Sequence, residues 1–298
     1  QVIAMDEKRK TFYRTEFFHN FVRNPGAVIG LAIVLFFLIT VIIGPMITPQ
    51  NPYDIASLDL MDAYKPPVWM DGGDRSFVLG TDDQGRDILS AIVYGSRISL
   101  FIGIAVVVLS CAIGTFLGLV AGYFGGRLDG FLMRVVDIQL SFPAMLVALF
   151  IMAAFGRGLG KLIIALTLVG WVLYARTVRG SVLVERNREY VDAARLIGLS
   201  PFPIILRHVL PNILTPLIVI ATIHVGTVIL TEATLSYLGV GVPVTQPSLG
   251  LLVKNGYDVL FSGLWWSSVF PGMFIMLLVF GINLLGDFLR DELNPRLK

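Results

Sequence analysis

The sequence predicts an all-α polytopic membrane protein with six transmembrane helices and both termini in the cytoplasm. Three observations lead to this prediction. Hydrophobic residues make up 55% of the 298 residues and charged residues only 15%, against roughly 25% charged in a soluble domain. Six apolar segments approach the roughly 20 residues that a helix needs to cross a bilayer. Lys and Arg concentrate in alternate connecting segments, which orients the chain in the membrane.

The predicted spans cover residues 26–47, 98–122, 136–155, 161–177, 213–235 and 266–286. The fourth is the weakest, because its uncharged part runs only from Leu162 to Ala175, and a helix buried inside a bundle is an alternative. We keep it as a span because the charge distribution requires it. The first run begins at Gly26 and is too long for the apolar region of a signal peptide, so we expect it to remain as a span.

Basic residues place the N-terminus inside. The inner segments then hold most of them: Lys8, Arg9, Lys10, Arg14, Arg23, Arg127, Arg134, Arg176, Arg179, Arg186, Arg188, Arg195, Arg207, Arg290, Arg296 and Lys298. The outer segments hold fewer: Lys65, Arg75, Arg86, Arg97, Arg157, Lys161 and Lys254. The net charge of +2 is too small to indicate a nucleic-acid partner.

An amphipathic segment precedes the first span. One helical face can carry its apolar residues, which are Phe12, Phe17, Phe18, Phe21 and Val22. This pattern predicts an N-terminal helix lying in the membrane interface. Such a helix is either an elbow packed on the bundle or an anchor to anionic lipid, and the sequence favours neither.

A polar segment of some fifty residues joins the first two spans. It contains Pro52, Pro66, Pro67 and many Asp residues, so we expect little regular structure there. Because it is too long for a simple connection, we expect it to pack over the outer mouth of the bundle.

Small and kink-forming residues lie within the spans. Gly114, Gly118 and Gly122 recur every fourth residue in the second span, a spacing that lets two helices approach closely. Packing within the chain and a contact between subunits are both consistent with this stripe. Pro143, Pro216 and Pro271 lie in or near the third, fifth and sixth spans, where each can kink a helix.

Four polar residues lie within or beside the spans: Asp137, His224, Glu232 and Asn283. Because polar groups are costly in hydrocarbon, they are candidates to line a solute path. For Asp137 and Glu232 we favour instead a position at a helix end or a hydrogen bond between helices. For His224, path lining and satisfied packing are equally consistent with the sequence.

The sequence contains no signature of a catalytic or metal site. His19, His208 and His224 lie far apart and have no Cys or carboxylate at ligand spacing. The glycine-rich residues 156–162 lack the spacing and the Ser or Thr of a phosphate-binding loop. Cys111 is alone in the chain, so no internal disulfide forms. We therefore expect a non-catalytic subunit with no cofactor and no metal ion of its own.

A helical hairpin is predicted between the fourth and fifth spans. Residues 189–197 contain no helix breaker, and Gly198 suits a left-handed helix end. Ser200 can cap a second helix with Pro201 at its first position. We expect Leu210-Pro211 to end that helix before the fifth span. The small residues of the first half would let a neighbouring protein approach closely, so this cytoplasmic hairpin is expected to fit a groove on a partner.

The hairpin resembles the cytoplasmic loop of ABC-importer membrane subunits. That family has Glu-Ala-Ala, three residues, Gly, nine residues and Ile-x-Leu-Pro. Here the residues are Asp192-Ala193-Ala194, then Gly198, then His208-Val209-Leu210-Pro211, so Asp replaces the Glu and His replaces the Ile. The resemblance implies that ATPase coupling uses the following residues: Asp192, Ala193, Ala194, Gly198, Ser200, Pro201, Leu210 and Pro211.

Two further stretches resemble the C-type subunit of the dipeptide/oligopeptide/nickel permease branch. They are LGTDDQGRDILSAIVYGSRISL at 79–100 and TEATLSYLGVGVPVTQPSLG at 231–250. Leu249 stands where that branch often has Trp. The resemblance implies an N-terminal module over 1–95, a transmembrane core of the type I importer fold over 96–288 and a cytoplasmic tail over 289–298.

The resemblance also implies the partners and the cargo. The partners would be a homologous second permease subunit, two cytosolic ATPase subunits that bind ATP and Mg²⁺, and an outer solute-binding protein, all in or beside the lipid of a bacterial inner membrane. The cargo would be dipeptides or oligopeptides, or else glutathione, a nickel chelate or an opine-like solute. The alternatives from other classes are a secondary transporter or channel that works alone, and a membrane scaffold.

Overall fold

The computed structural model describes residues 17–54, 58–243, 245–246 and 248–293, and it is helical throughout these ranges apart from loops and one isolated β-bridge. Residues 17–23 form α1. The other α-helices follow in this order: α2 (Pro25–Ile47), α3 (Ile88–Phe124), α4 (Gly126–Leu140), α5 (Ala144–Phe155), α6 (Leu159–Glu185), α7 (Glu189–Leu196), α8 (Pro201–Ile204), α9 (Leu210–Tyr237), α10 (Leu249–Asp258) and α11 (Trp266–Glu292). Short 3₁₀ turns cover Leu60–Asp62 and Leu260–Ser262.

Five helical segments of the described chain are long and apolar enough to cross a membrane, and a bent pair makes a sixth. The prediction of the third span as one continuous helix was wrong. This part of the chain forms two helices, α4 and α5, whose axes are bent by 85° relative to each other. Pro143 is the residue that precedes α5. Proline has no N–H to donate and it disfavours helical geometry at Phe142, which explains the break.

The other predicted spans are present with different bounds. The uncertain fourth span is a full helix of 27 residues, α6. The first turn of α6 contains Lys161, whose Nζ donates a hydrogen bond to the carbonyl of Phe155 at 2.7 Å. The second span begins ten residues earlier than predicted, because Asp87 caps α3 by accepting from the N–H of Ser90 at 2.8 Å.

The core is centred on α3, which packs along α6 through the predicted glycine stripe. A Cβ on Gly114 would lie 2.4 Å from the carbonyl oxygen of Trp171, and one on Gly118 would lie 2.7 Å from that of Ala175. Any larger side chain would push the two helices apart. The stripe therefore serves packing within the chain.

One end of the bundle carries both described chain ends. Phe17 and Phe21 of α1 stack edge to face on Phe288 of α11, with ring centroids 5.5 and 5.3 Å away. Asn20 Nδ2 donates to Glu292 Oε2 at 3.1 Å. The N-terminal helix is thus packed on the bundle as an elbow, whereas the predicted Phe12 lies outside the described residues.

The long segment between α2 and α3 crosses the opposite end, which we call the far end. Trp69 stacks on Phe270 at the start of α11, with ring centroids 6.0 Å apart. Trp266 Nε1 donates to the carbonyl of Thr81 at 3.4 Å. Inside the segment, Arg86 Nε donates to Asp82 Oδ2 at 2.6 Å, and both side chains are buried. A paired buried charge fixes the path of a loop that has little regular structure.

Candidate functional site

The first half of the predicted hairpin ends as expected. Gly198 has φ +84°, in the left-handed region. The N–H of Gly198 donates to the carbonyl of Arg195 at 3.0 Å, and the N–H of Leu199 donates to that of Ala194 at 3.2 Å. This pair of bonds is a Schellman motif, which satisfies the last carbonyls of α7 and turns the chain sharply.

The second half differs from the prediction. Ser200 precedes α8 and Pro201 opens it, as predicted, but the Ser200 side chain makes no capping hydrogen bond. Leu210-Pro211 does not end the helix: α8 passes through a π-helical turn at Ile205–Val209 directly into α9. The N–H of Leu210 donates to the carbonyl of Ile205. The wider π turn carries the chain past Pro211, whose ring would clash with a carbonyl in a regular helix.

The inner face of the hairpin is built into the core of the bundle. Val191 and Ala194 of α7 are buried together with Ile204 and Val209, in the same apolar cluster as Val178 and Val182 of α6. Ala194 therefore packs inside its own chain, whereas Ala193 and Gly198 lie at the surface. Because the helix is continuous into α9, a displacement of the hairpin must move α9.

The outer face of the hairpin is apolar and exposed, which the sequence analysis missed. Leu196 is 88% exposed, Ile197 77% and Phe202 70%. Leu199 and Leu206 are also exposed, at 39% and 42%. We call these five residues the hairpin tip. Large apolar side chains clustered at a turn indicate a protein interface. The signal in the sequence is an apolar run too short to span a membrane.

Two basic residues of the hairpin region attach it to the bundle. Arg186 Nη1 donates to the carbonyl of Gly122 at 2.8 Å. Arg195 stacks over the Tyr123 ring at 5.7 Å, and its Nη1 also pairs with Asp192 at 3.0 Å. These contacts tie the hairpin to the end of α3. Asp192 remains exposed with its partner on the outer surface.

A second brace connects α4 to α6. Arg179 Nη2 donates to Asp129 Oδ2 at 2.7 Å, and Arg179 Nε donates to the other carboxylate oxygen at 2.5 Å. This bidentate geometry is the strong form of an Arg–carboxylate pair. The bent pair α4–α5 is thereby held to the helix that leads into the hairpin.

The four polar residues predicted for a solute path lie in different environments. Glu232 is completely buried and accepts hydrogen bonds from Ser99 Oγ of α3 at 2.9 Å and from Ser236 Oγ at 2.7 Å. His224 Nδ1 lies 3.0 Å from the hydroxyl oxygen of Tyr174 in α6. Glu232 therefore forms a hydrogen bond between α9 and α3, and His224 lies within hydrogen-bond distance of a hydroxyl group of α6.

Asn283 and Asp137 are exposed, on α11 and α4 respectively. Asn283 lines an open groove of about 600 Å³ between α9, α10 and α11, together with Thr234 and Tyr237. The exposed face of α9 continues this polar lining through Thr227, which the sequence analysis missed because a single Thr is unremarkable in a span. In the part of the chain that the structure describes, no group of His, Cys, Asp or Glu side chains could hold a metal ion.

Sequence comparison identifies two family domains. Residues 114–298 match the binding-protein-dependent transport system inner membrane component family. Residues 13–67 match the N-terminal transmembrane domain of oligopeptide transport permease C. The first match covers α4 to α11 and the last part of α3, and so includes the hairpin.

Individual relatives extend over nearly the whole chain. The dipeptide transport system permease protein DppC of Escherichia coli is 45% identical over 284 residues, which are 95% of this chain and 93% of the relative. That of Haemophilus influenzae is 39% identical over 283 residues, 95% of each. The oligopeptide transport system permease protein OppC of Bacillus subtilis is 39% identical over 275 residues, 92% of this chain and 87% of the relative.

A solved structure with the same fold is an inward-facing conformation of the MetNI methionine ABC transporter. The TM-score is 0.55 and the sequence identity 22%, over 68% of this chain and 96% of that one. At this identity the match shows a shared fold.

Proposed function

The chain belongs to the binding-protein-dependent transport system inner membrane component family, and from this premise we propose that it forms half of the translocation path of an ATP-driven peptide importer. The observation that carries the proposal is the hairpin tip: an exposed apolar surface on a hairpin that is continuous with a membrane helix. The chain is then a non-catalytic subunit that is moved by ATP hydrolysis elsewhere.

The orientation follows from charge and packing together. The end of α11 holds Arg290, and the chain from the second half of α6 through the hairpin holds six more of the basic residues that the sequence analysis assigned to the inner face: Arg176, Arg179, Arg186, Arg188, Arg195 and Arg207. We propose that this end of the bundle faces the cytoplasm, as the bias of Lys and Arg toward cytoplasmic segments requires. The segment crossing the far end then faces outward. The division into 1–95, 96–288 and 289–298 is part of the same proposal.

The hairpin is proposed to transmit the motion of the ATPase. Two cytosolic ATPase subunits bind ATP and Mg²⁺, and one of them holds the hairpin tip in a groove. The inner face of the hairpin packs on α6, and the second half of the hairpin continues into α9. The hairpin therefore moves together with these two helices. ATP binding favours one arrangement of the complex because the partner fits the hairpin better in that state.

The path is proposed to lie between this chain and a homologous second permease subunit. The groove between α9, α10 and α11 is lined mainly by apolar residues, and Thr234, Tyr237 and Asn283 add uncharged polar side chains to it. These polar groups can form hydrogen bonds with the backbone of a peptide. An outer solute-binding protein would deliver the cargo at the far end. The curated relatives favour dipeptides and oligopeptides over glutathione, a nickel chelate or an opine-like solute.

The test is uptake by the reconstituted importer. Vesicles containing both permease subunits, the ATPase subunits and the binding protein should accumulate labelled dipeptide only with ATP. Gly198→Asp should separate ATP hydrolysis from uptake, because no other residue type fits φ +84° as well as glycine. Full uptake by this variant would contradict the coupling role. Flux through the purified single chain without ATP would instead support the secondary-transporter alternative.

A further inference from the structure

The part of α3 nearest the far end carries an exposed arginine, just before the predicted second span. Arg97 lies nine residues after the start of α3 and its side chain is exposed. It forms no ion pair with a carboxylate of the described residues. A cation near the end of a span can pair with an anionic group at the membrane surface.

Arg97 lines an open furrow of about 710 Å³. We call this the α3 furrow, and its lining comes from α2, the outer segment, α3, the start of α6 and the loop before α10: Leu38, Val41, Tyr53, Tyr94, Arg97, Ile98, Leu100, Phe101, Ile104, Leu159, Thr245 and Gln246. Along α3 the polar residues Tyr94 and Arg97 precede the apolar residues Phe101 and Ile104, which gives the furrow a polar end and an apolar end.

The polar end is rich in hydrogen-bond donors. The rings of Tyr53 and Tyr94 stack edge to face with centroids 5.1 Å apart, beside Arg97. Burial, with the neighbouring Tyr94 adding to it, raises the pKa of Tyr53 to about 12, so its hydroxyl keeps its proton at neutral pH. One guanidinium and two phenol hydroxyls suit a ligand with several acceptor oxygens, such as a phosphodiester.

The apolar end continues along one stripe of α3. Phe101 is 56% exposed, Ile104 48% and Val108 59%, and these positions follow Arg97 at helical spacing. From Arg97 to Val108 the helix rises about 16 Å, which is about half of the roughly 30 Å hydrocarbon core. The stripe therefore has the depth of one leaflet beneath a charged head.

The exposed face of α9 beside Asn283 differs, because it carries Thr227, Leu230 and Thr234 and no Lys or Arg. A solute path or a polar subunit contact suits that face better. From the combination of a cation, two phenols and an apolar stripe one leaflet deep, we propose that the α3 furrow binds an anionic phospholipid of the leaflet at the far end. The head would contact Arg97 and Tyr53, and one acyl chain would lie along Phe101 and Ile104.

The experiment uses the complete importer, stripped of lipid and titrated with phosphatidylglycerol or phosphatidylcholine, with bound lipid counted by native mass spectrometry. The wild-type importer should bind phosphatidylglycerol more tightly than phosphatidylcholine. Arg97→Gln should weaken this binding about ten-fold, as expected for loss of one charge-assisted contact. Arg75→Gln is the matched control: it removes an exposed arginine of the segment that crosses the far end, outside the furrow, and should leave binding unchanged.

A second variant tests the furrow itself. Ile104→Trp fills the apolar end without changing the charge, and it should also weaken phosphatidylglycerol binding. Equal binding by wild type and Arg97→Gln would overturn the proposal, since Arg97 would then only extend toward bulk headgroups. Unchanged binding by Ile104→Trp would also overturn it. So would a photo-cross-link from position 101 to the second permease subunit instead of to lipid.

Discussion

The hairpin tip supplies the prediction whose size follows most directly from the structure. Phe202 is 70% exposed, so Phe202→Ser removes a side chain that contributes little to the fold of this chain. Fully burying a Phe is worth about 1.5–3 kcal/mol. Covering the exposed part in an ATPase groove should therefore contribute about 1–2 kcal/mol, which corresponds to about 5- to 30-fold in the dissociation constant.

The assay is binding of purified ATPase subunit to the permease pair held in nanodiscs, measured by interferometry, with thermal unfolding of the permease pair in parallel. Phe202→Ser should weaken binding by this factor and leave the unfolding temperature unchanged. Met61→Ser is the matched control, because Met61 is 87% exposed but lies in the segment at the far end. Equal affinity of both variants and wild type would refute the assignment of the tip as the docking surface.

Three other substitutions test the packing of the bundle and of the segment that crosses its far end. Gly118→Leu should destabilise the protein by about 2 kcal/mol or more, because a Cβ there already lies 2.7 Å from the carbonyl of Ala175; an unchanged unfolding temperature would contradict the close contact. Glu232→Ala should cost about 1–3 kcal/mol by leaving serine hydroxyls unpaired in the core, while Glu232→Gln keeps most of the stability; equal losses in a thermal unfolding assay would speak against the hydrogen-bonded cluster. Arg86→Met leaves Asp82 as a buried unpaired carboxylate and should cost about 3–5 kcal/mol, measured as faster proteolysis of the outer segment; protection equal to wild type would exclude the ion pair.

Features with a local chemical cause could be predicted from the sequence. The spans follow from apolar length, and the end of α7 at Gly198 follows from the ability of glycine to adopt positive φ. Pro201 at the first position of α8 follows from its missing N–H. Each of these depends on a few neighbouring residues, so a single sequence contains the information.

Features that depend on distant partners could not be predicted. The sequence shows Leu196 and Phe202 as apolar, but only the fold decides that both face outward while Ala194 faces the core. The sequence shows that Glu232 lies in a span. It does not show that Ser99, more than a hundred positions away, donates a hydrogen bond to the Glu232 carboxylate. The continuity of α8 and α9 was missed for another reason: Pro211 predicts a stop, and the π turn that accommodates it has no simple sequence pattern.

The most direct test of the account is photo-cross-linking from position 197 in intact cell membranes. Ile197 is 77% exposed at the hairpin tip, so a benzophenone amino acid placed there should not disturb the fold. We predict a cross-link to a cytosolic ATPase subunit. A cross-link to an external protein, or labelling of this position by a membrane-impermeant reagent added outside the cell, would contradict the account.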